Sequence, residues 1–305
     1  MRYPFIPALL ILFLLSCTKE QRVSNENGVP PATNDPIPQF SVSTASFVPS
    51  SKFLKREVSY VQSNPLLKNV RLFSYDNKYR CTTIQLGTID SAVSNPVFSL
   101  KQTLTFHYDG TAVVPSSFSS VRTVFPNLVT TFYYKYNSQG RKIMDSVRVK
   151  NGAGDPADRV VHYQYGNDKV YSTPVFNGFP MDNNSYDTLS LLSGGNIEKL
   201  VSRIVRPTGD QTITYAFTYD QAVSPYHKMN IANSLYFESA SLGIGYNVPL
   251  ETHYMGVTSN NMTSWTTGNY TVRFNYVYDG QNYPVRKEMM LPGNATPSQV
   301  TFFEY

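Results

Sequence analysis

From about residue 55 onward apolar and polar residues alternate with period two, the pattern of strands that bury one face. Ile213, Tyr215, Phe217 and Tyr219 fall on one side of such a strand, opposed by Thr212, Thr214, Ala216 and Thr218. Tyr270, Val272, Phe274, Tyr276 and Tyr278 repeat the arrangement against Thr271, Arg273, Asn275 and Val277. Such runs close on one phrase: an aromatic, any residue, an aromatic, then Asp, Asn or Gly and a turn. The phrase stands at Phe73/Tyr75/Asp76, Phe106/Tyr108/Asp109, Tyr134/Tyr136/Asn137, Tyr163/Tyr165/Gly166, Phe217/Tyr219/Asp220 and Tyr276/Tyr278/Asp279, and Phe303 and Tyr305 repeat its opening. Second aromatics lie 33, 28, 29, 54, 59 and 27 residues apart. The two long steps are near double the others, and Leu189/Leu191 before Ser193-Gly194-Gly195-Asn196 fills the first gap. The chain therefore contains an internal repeat.

Asp, Asn and Gly after each phrase supply turn chemistry, because they tolerate positive φ or bond their own backbone. A second alternating run then returns, as in Ile143, Asp145, Val147 and Val149 against Lys142, Met144, Ser146 and Arg148. Each repeat is one hairpin, and roughly eight hairpins give on the order of sixteen strands. The predicted fold class is all-β, an antiparallel up-and-down meander of repeated hairpins. A flat meander of that length would expose two edges and an apolar face, so it must be curled or closed, barrel-like. The rhythm breaks from Pro225 to about Gly268, where Pro225-Tyr226-His227-Lys228-Met229, Ile231, Leu235 and Phe237 have mixed spacing, as a short helix or a plug-like excursion would.

Upstream of the repeats the pattern changes twice. Arg2 gives a positive start, Phe5 to Leu15 an apolar stretch too short to span a bilayer, and Leu14-Leu15-Ser16-Cys17 a bacterial lipobox. Residues 1–16 are expected to be a lipoprotein signal peptide, with Cys17 acylated on its sulfur and its freed amine. Residues 17–50 carry the anchor and a tether rich in Ser, Thr and Pro, with Pro30, Pro31, Pro36, Pro38 and Pro49. Residues 51–305 form a single repeat-built β domain.

Composition agrees with strands: 14% of residues are aromatic and only 15% charged. Loss of Arg2 with the signal takes the net charge from +5 to +4, and the cations are scattered, so no nucleic-acid partner is expected. With Cys17 lipidated, Cys81 has no disulfide partner, and packing must supply the stability.

The phrase with its turn, best seen in Tyr134-Lys135-Tyr136-Asn137-Ser138-Gln139-Gly140-Arg141, resembles the Tyr-Asp repeat of bacterial surface proteins. With the lipobox, the tether, Ser224-Pro225-Tyr226-His227-Lys228-Met229 and the terminal aromatic strand, the chain is similar over about residues 55–305 to uncharacterised Bacteroidetes-type lipoproteins with Tyr-Asp-like repeats, described as porin-like in fold. The resemblance implies a barrel-like β fold on an outer-membrane lipoprotein; it carries no activity and no catalytic residue. Several repeats lack the Gly-Arg pair, and Gly166 replaces the acid after Tyr165. Thr18-Lys19-Glu20-Gln21 is similar to the surface-export signal of such lipoproteins, with one acid only. Asp90-Ser91-Ala92, Asp145-Ser146-Val147 and Asp187-Thr188-Leu189 resemble the O-glycosylation motif of the same bacteria, making Ser91, Ser146 and Thr188 candidate acceptors.

Reaction chemistry is sparse. His107, His162, His227 and His253 are dispersed at no ligand spacing, and the first two fall between repeat aromatics, on the polar face. Asp182-Asn183-Asn184-Ser185-Tyr186-Asp187 is oxygen-rich but lacks the Gly and distal Glu of a calcium loop, and reads as a polar tip. No nucleophile elbow, phosphate loop or dinucleotide fingerprint occurs, and Gly243-Ile244-Gly245 is too sparse for one. Glu238 and Glu251 are the carboxylates a glycoside hydrolase would need to bring together in the fold. The expectation is no enzyme and no cofactor. Trp265, the single Trp, in an irregular segment of Thr and Ser, is the candidate ligand residue, against packing as its ordinary role. The chain is expected to be an envelope-anchored binding or structural module. Its partners would be the bilayer through Cys17 and a glycan or envelope protein. The rivals are an outer-membrane-inserted barrel and a glycan-binding or glycan-processing protein.

Overall fold

The computed structural model describes residues 52–112, 114–138, 142–150, 157–165, 169–176, 179–180, 186–192, 196–204, 209–226 and 260–305. All lie in one compact unit, residues 32–305. Among the described residues there are strands and turns and no helix. The strands are β1 (Arg56–Val61), β2 (Asn64–Tyr75), β3 (Cys81–Asp90), β4 (Phe98–His107), β5 (Ser117–Arg122), β6 (Phe125–Tyr136), β7 (Lys142–Lys150), β8 (Ala157–Tyr165) and β9 (Lys169–Phe176). They continue with β10 (Phe179–Pro180), β11 (Tyr186–Leu191), β12 (Ile197–Ile204), β13 (Gln211–Val223), β14 (Asn260–Thr267), β15 (Tyr270–Tyr278), β16 (Pro284–Met290) and β17 (Gln299–Glu304).

All pairings are antiparallel and nearly all join neighbours in sequence, as an up-and-down meander requires. β10 and β11 share one lane beside β9, so the seventeen strands less β10 make sixteen lanes. β1 pairs with β2 on one side and with β17 on the other, from Arg56↔Glu304 to Val61↔Gln299. The ladder of pairings thus returns to its first strand, which removes the unpaired edges a meander would otherwise expose.

Register puts the repeat aromatics on one common face. Phe73 stands opposite Ile84 and Ile84 opposite Leu104. Phe106 faces Phe118, and Phe118 faces Phe132. Across the molecule Phe217 faces Trp265 and Trp265 faces Val272. Directly opposed side chains share a face, and these form one buried cluster with Phe274 and Phe303. Phe118 and Phe132 stack with centroids 4.1 Å apart, and Phe106 sits 5.2 Å from Phe118. The buried face is the inner one. His107 and His162 are exposed, as their position between repeat aromatics requires.

The described repeat turns lie at one end, and two of them are built alike in detail. Asp76 Oδ1 accepts the amides of Lys78 and Arg80 at 2.9 Å, and Asp279 Oδ1 accepts those of Gln281 and Tyr283 at 2.8 and 3.0 Å. Tyr79 and Asn282, at the same place in the two turns, both adopt φ of 61°. This is a three-residue hairpin loop with a left-handed residue and an adjoining bulge. The bulge itself recurs: a register shift lies opposite Tyr75, Tyr136, Leu191, Tyr219 and Tyr278. A register shift thus also stands at Leu191, which is not aromatic. Ile143 is the residue the shift skips, which is why it stands exposed although the alternation places it with Val147.

The second aromatic also acts through its hydroxyl. Tyr75 donates to the carbonyl of Leu54 at 2.7 Å, Tyr108 to Cys81 at 2.8 Å, Tyr136 to Pro115 at 3.2 Å and Tyr305 to Pro284 at 3.0 Å. Each reaches back 21 residues, or 27 for Tyr108, to the start of the preceding strand. Arg80 then joins neighbouring turns: it pairs with Asp76 at 2.7 Å, donates to the carbonyls of Gly110 and Ala112, and lies over the Tyr108 ring at 4.5 Å.

One expectation needs correction. The stretch around Trp265 is not irregular: residues 260–267 are β14, paired with β13 and β15. Thr263, Ser264, Thr266 and Thr267 are small and polar on both faces, which hides the alternation, while Thr remains a good strand former. The expected helix or plug falls on residues 227–259, outside the described residues.

Two outcomes test this account. Tyr75→Phe and Tyr136→Phe should each cost about 1 kcal/mol in denaturant unfolding, the net worth of one hydrogen bond, whereas Phe274→Ala should cost roughly 3–5 kcal/mol by cavity formation. In alkali, burial raises the phenols of Tyr75, Tyr108 and Tyr305 above their ordinary value of 10.0. The unfolded chain loses these protons near that value while the native state keeps them, so stability is intact below it and falls as pH rises beyond it. Beyond the signal of exposed tyrosines such as Tyr133 and Tyr270, absorbance at the tyrosinate band should therefore show a second rise that coincides with unfolding.

Candidate functional site

The inner face changes character along its height. At the repeat end it is aromatic; above that, on β16, β17, β1 and β2, it is polar. Lys287 faces Thr301 and Thr301 faces Ser59, all three buried. One step lower, Glu57 lies between Phe303 and Arg71. Arg71 Nη1 stands 3.3 Å from Glu57 Oε2, and Lys287 Nζ lies 5.6 Å from the centroid of Phe274. A buried carboxylate needs such partners, since desolvation of an unpaired charge is costly.

A second polar partner of Glu57 comes from elsewhere in the chain. After β13, Ser224, Pro225 and Tyr226 are buried, and the Tyr226 hydroxyl donates to Glu57 Oε2 at 2.5 Å. Its ring packs edge-on against Phe303, with centroids 6.3 Å apart. Burial first, then the Glu57 charge, pushes the Tyr226 phenol well above its ordinary range. Ser224, Pro225 and Tyr226, following β13, thus lie against the inner face.

The far root of the segment between β13 and β14 is tied down as well. Asp220 Oδ1 accepts the amides of Ala222 and Asn261 at 2.9 and 3.2 Å, and Asp220 Oδ2 accepts the Tyr278 hydroxyl. Asn196 and Asn260 bond side chain to side chain at 2.8 Å. A shallow hollow lined by Phe53, Leu54, Tyr75, Val223 and Pro225 lies beside this root. Through the Tyr226 hydroxyl the polar patch clamps the start of that segment.

The residues singled out from the sequence are not brought together. Cys17, His227, His253, Glu238, Glu251 and Gly243 to Gly245 lie outside the described residues, as do residues 182–185. Ser91 is in the turn after β3, its amide bonded to the Leu66 carbonyl at 2.8 Å, with Asp90 Oδ1 accepting the Ala92 amide at 2.9 Å. Ser146 is on β7 opposite Tyr133, and Thr188 on β11 between Tyr171 and Val201. All three are half-buried and belong to different lanes. Trp265 lies on the inner face against the core, with Tyr215 at 6.1 Å and Tyr270 at 5.6 Å. No group of three or more His, Cys, Asp or Glu suited to a metal occurs among the described residues. Cys81 is buried, and burial pushes its thiol up to about 12, so it stays protonated and unreactive. The Glu57 pairing was not anticipated; an acid at an inward position of the first strand was its only sequence signal.

No family model matches the chain, and no curated protein matches it. Among solved structures it is similar to a porin-like protein from Bacteroides uniformis, at 11% identity and a TM-score of 0.43 over 84% of this chain and 98% of that one. It is also similar to a porin-like protein from Bacteroides vulgatus, at 12% identity and a TM-score of 0.48 over 84% and 99% of the two chains.

Removing the carboxylate tests the clamp. Glu57→Ala leaves the Tyr226 hydroxyl unpaired in the core, at an expected cost of about 1–3 kcal/mol, while Glu57→Gln restores much of it. Hydrogen exchange at residues 224–226 should accelerate in the first variant and not in the second.

Proposed function

We propose that this chain is an envelope lipoprotein, acylated at Cys17, whose tether presents the β domain as a binding or structural module at the cell surface. The observation that supports an anchored rather than an inserted domain is the division of faces. Aromatics fill the inside, while the outer face exposes Gln85, His107, Lys135, Thr212, Thr218, Arg273, Asn275 and Glu304 at differing heights. An inserted barrel carries an apolar band about 25 Å tall around its whole outside. Among the described residues the outer apolar positions gather at Val58, Val70, Val300 and Phe302 on β1, β2 and β17, with Tyr133 and Val277 exposed singly elsewhere, and the Arg286 guanidinium lies over Phe302. With the lipobox at Cys17, the bilayer is the first partner in this reading. A glycan or an envelope protein is the second, and no catalytic role is assigned.

A chain beginning at residue 51 should stay monodisperse without detergent. The Cys17→Ala variant should lose metabolic acyl label and leave the membrane fraction. A domain that needs detergent and migrates differently when unheated on a gel would instead be an inserted barrel, and transport would become the function to test.

A further inference from the structure

The end of the sheet opposite the repeat turns is built differently on one side. The β1–β2, β3–β4 and β5–β6 hairpins, which occupy adjacent lanes, carry large apolar residues at their tips. Val97 is 74% exposed, Val124 71%, Phe125 55%, Leu66 51% and Val93 50%. Turn chemistry does not call for them: Gly209-Asp210, Gly268-Asn269 and Pro292-Gly293-Asn294 serve at other described tips of this end. The tips sit side by side, since the Ser91 amide bonds the Leu66 carbonyl and the Thr123 amide bonds the Lys101 carbonyl, each at 2.8 Å. Just behind them stand Lys68, Lys101 and Arg122 against one carboxylate, Asp90.

We propose that this corner of the rim dips into the headgroup region of an anionic bilayer. Separate protruding side chains backed by cations suit a soft, negatively charged interface, where apolar groups enter several ångströms and basic ones meet phosphates. A protein partner would call for a continuous packed patch, which three hairpin tips do not make.

The tether allows the placement. The chain enters the domain at the repeat end, where Lys52 pairs with Asp279. Residues 18–50 can extend about 110 Å at ~3.3 Å per residue, against roughly 40 Å for the twelve-residue β2. The anchor therefore leaves either end free to meet the membrane. The proposal takes its bilayer from the lipid-anchor reading above, but the contact belongs to the rim.

The test uses the full acylated chain carrying Phe125→Trp in phosphatidylethanolamine/phosphatidylglycerol vesicles with bromine placed high on the acyl chains. Trp265, on the inner face, is the internal reference. The added emission should be blue-shifted and quenched by roughly half or more, as for a group within the ~5–10 Å that interfacial anchors reach. Val97→Asn with Val124→Asn, both at exposed tips, should abolish the quenching. Co-sedimentation with an unquenched, water-like Phe125→Trp emission overturns the rim contact and leaves the anchor standing. Quenching in a preparation without acyl label supports the rim and sinks the anchor instead. No co-sedimentation at all overturns the rim contact. A blue shift already present without vesicles also overturns it, by showing the rim covered by a second copy of the chain.

Discussion

A tyrosine hydroxyl reaching back to a backbone carbonyl at the start of the preceding strand is the constraint on which this sheet is built. It appears at Tyr75, Tyr108, Tyr136 and Tyr305, each time beside the repeat turn. Its ring belongs to the inner aromatic layer, while its hydroxyl satisfies a carbonyl that ordinary strand pairing leaves open at a strand start. One side chain thus couples the packing of the core to the stagger of neighbouring lanes. Register slippage by one residue would turn both ring and hydroxyl outward, so the repeat fixes register as well as burial.

That coupling explains why so much of the fold was legible in the sequence. Phe217 and Tyr219, or Phe274 and Tyr276, announce an inner face by spacing alone, and Asp76 or Asp279 announces a turn by its own hydrogen-bonding habits. Leu189 and Leu191 were read as a repeat only from the length of the gap, and a register shift also stands at Leu191. The segment around Trp265 was read as irregular because Thr and Ser on both faces of β14 erase the hydrophobic contrast that periodicity needs. Glu57 and Tyr226 were illegible as a pair for another reason. They are 169 residues apart, and only the three-dimensional sheet brings an acid on the first strand to a tyrosine beyond the thirteenth.

The two ends of the domain divide labour in a way neither composition nor fold class announces. The repeat end is finished: turns capped by their own Asp, Arg80 stitched to its neighbours, hydroxyls spent on carbonyls. The opposite end departs from that economy, with Leu, Val and Phe at tips where nothing in the turn requires them. The residues that flank the break after β13 are fastened as well, Tyr226 to Glu57 and Asn261 to Asp220.

The meeting of β1 with β17 has a kinetic meaning. Arg56 and Glu304 are bonded across 248 residues, so the seam that completes the ladder joins the earliest strand of the domain to the latest. Contacts of such separation are slow to form, because the whole intervening loop must be ordered first. Until the final strand has left the ribosome and arrived, two raw edges remain open to pairing with other chains. The domain is therefore most exposed to misassembly during its own synthesis, until β17 has paired with β1.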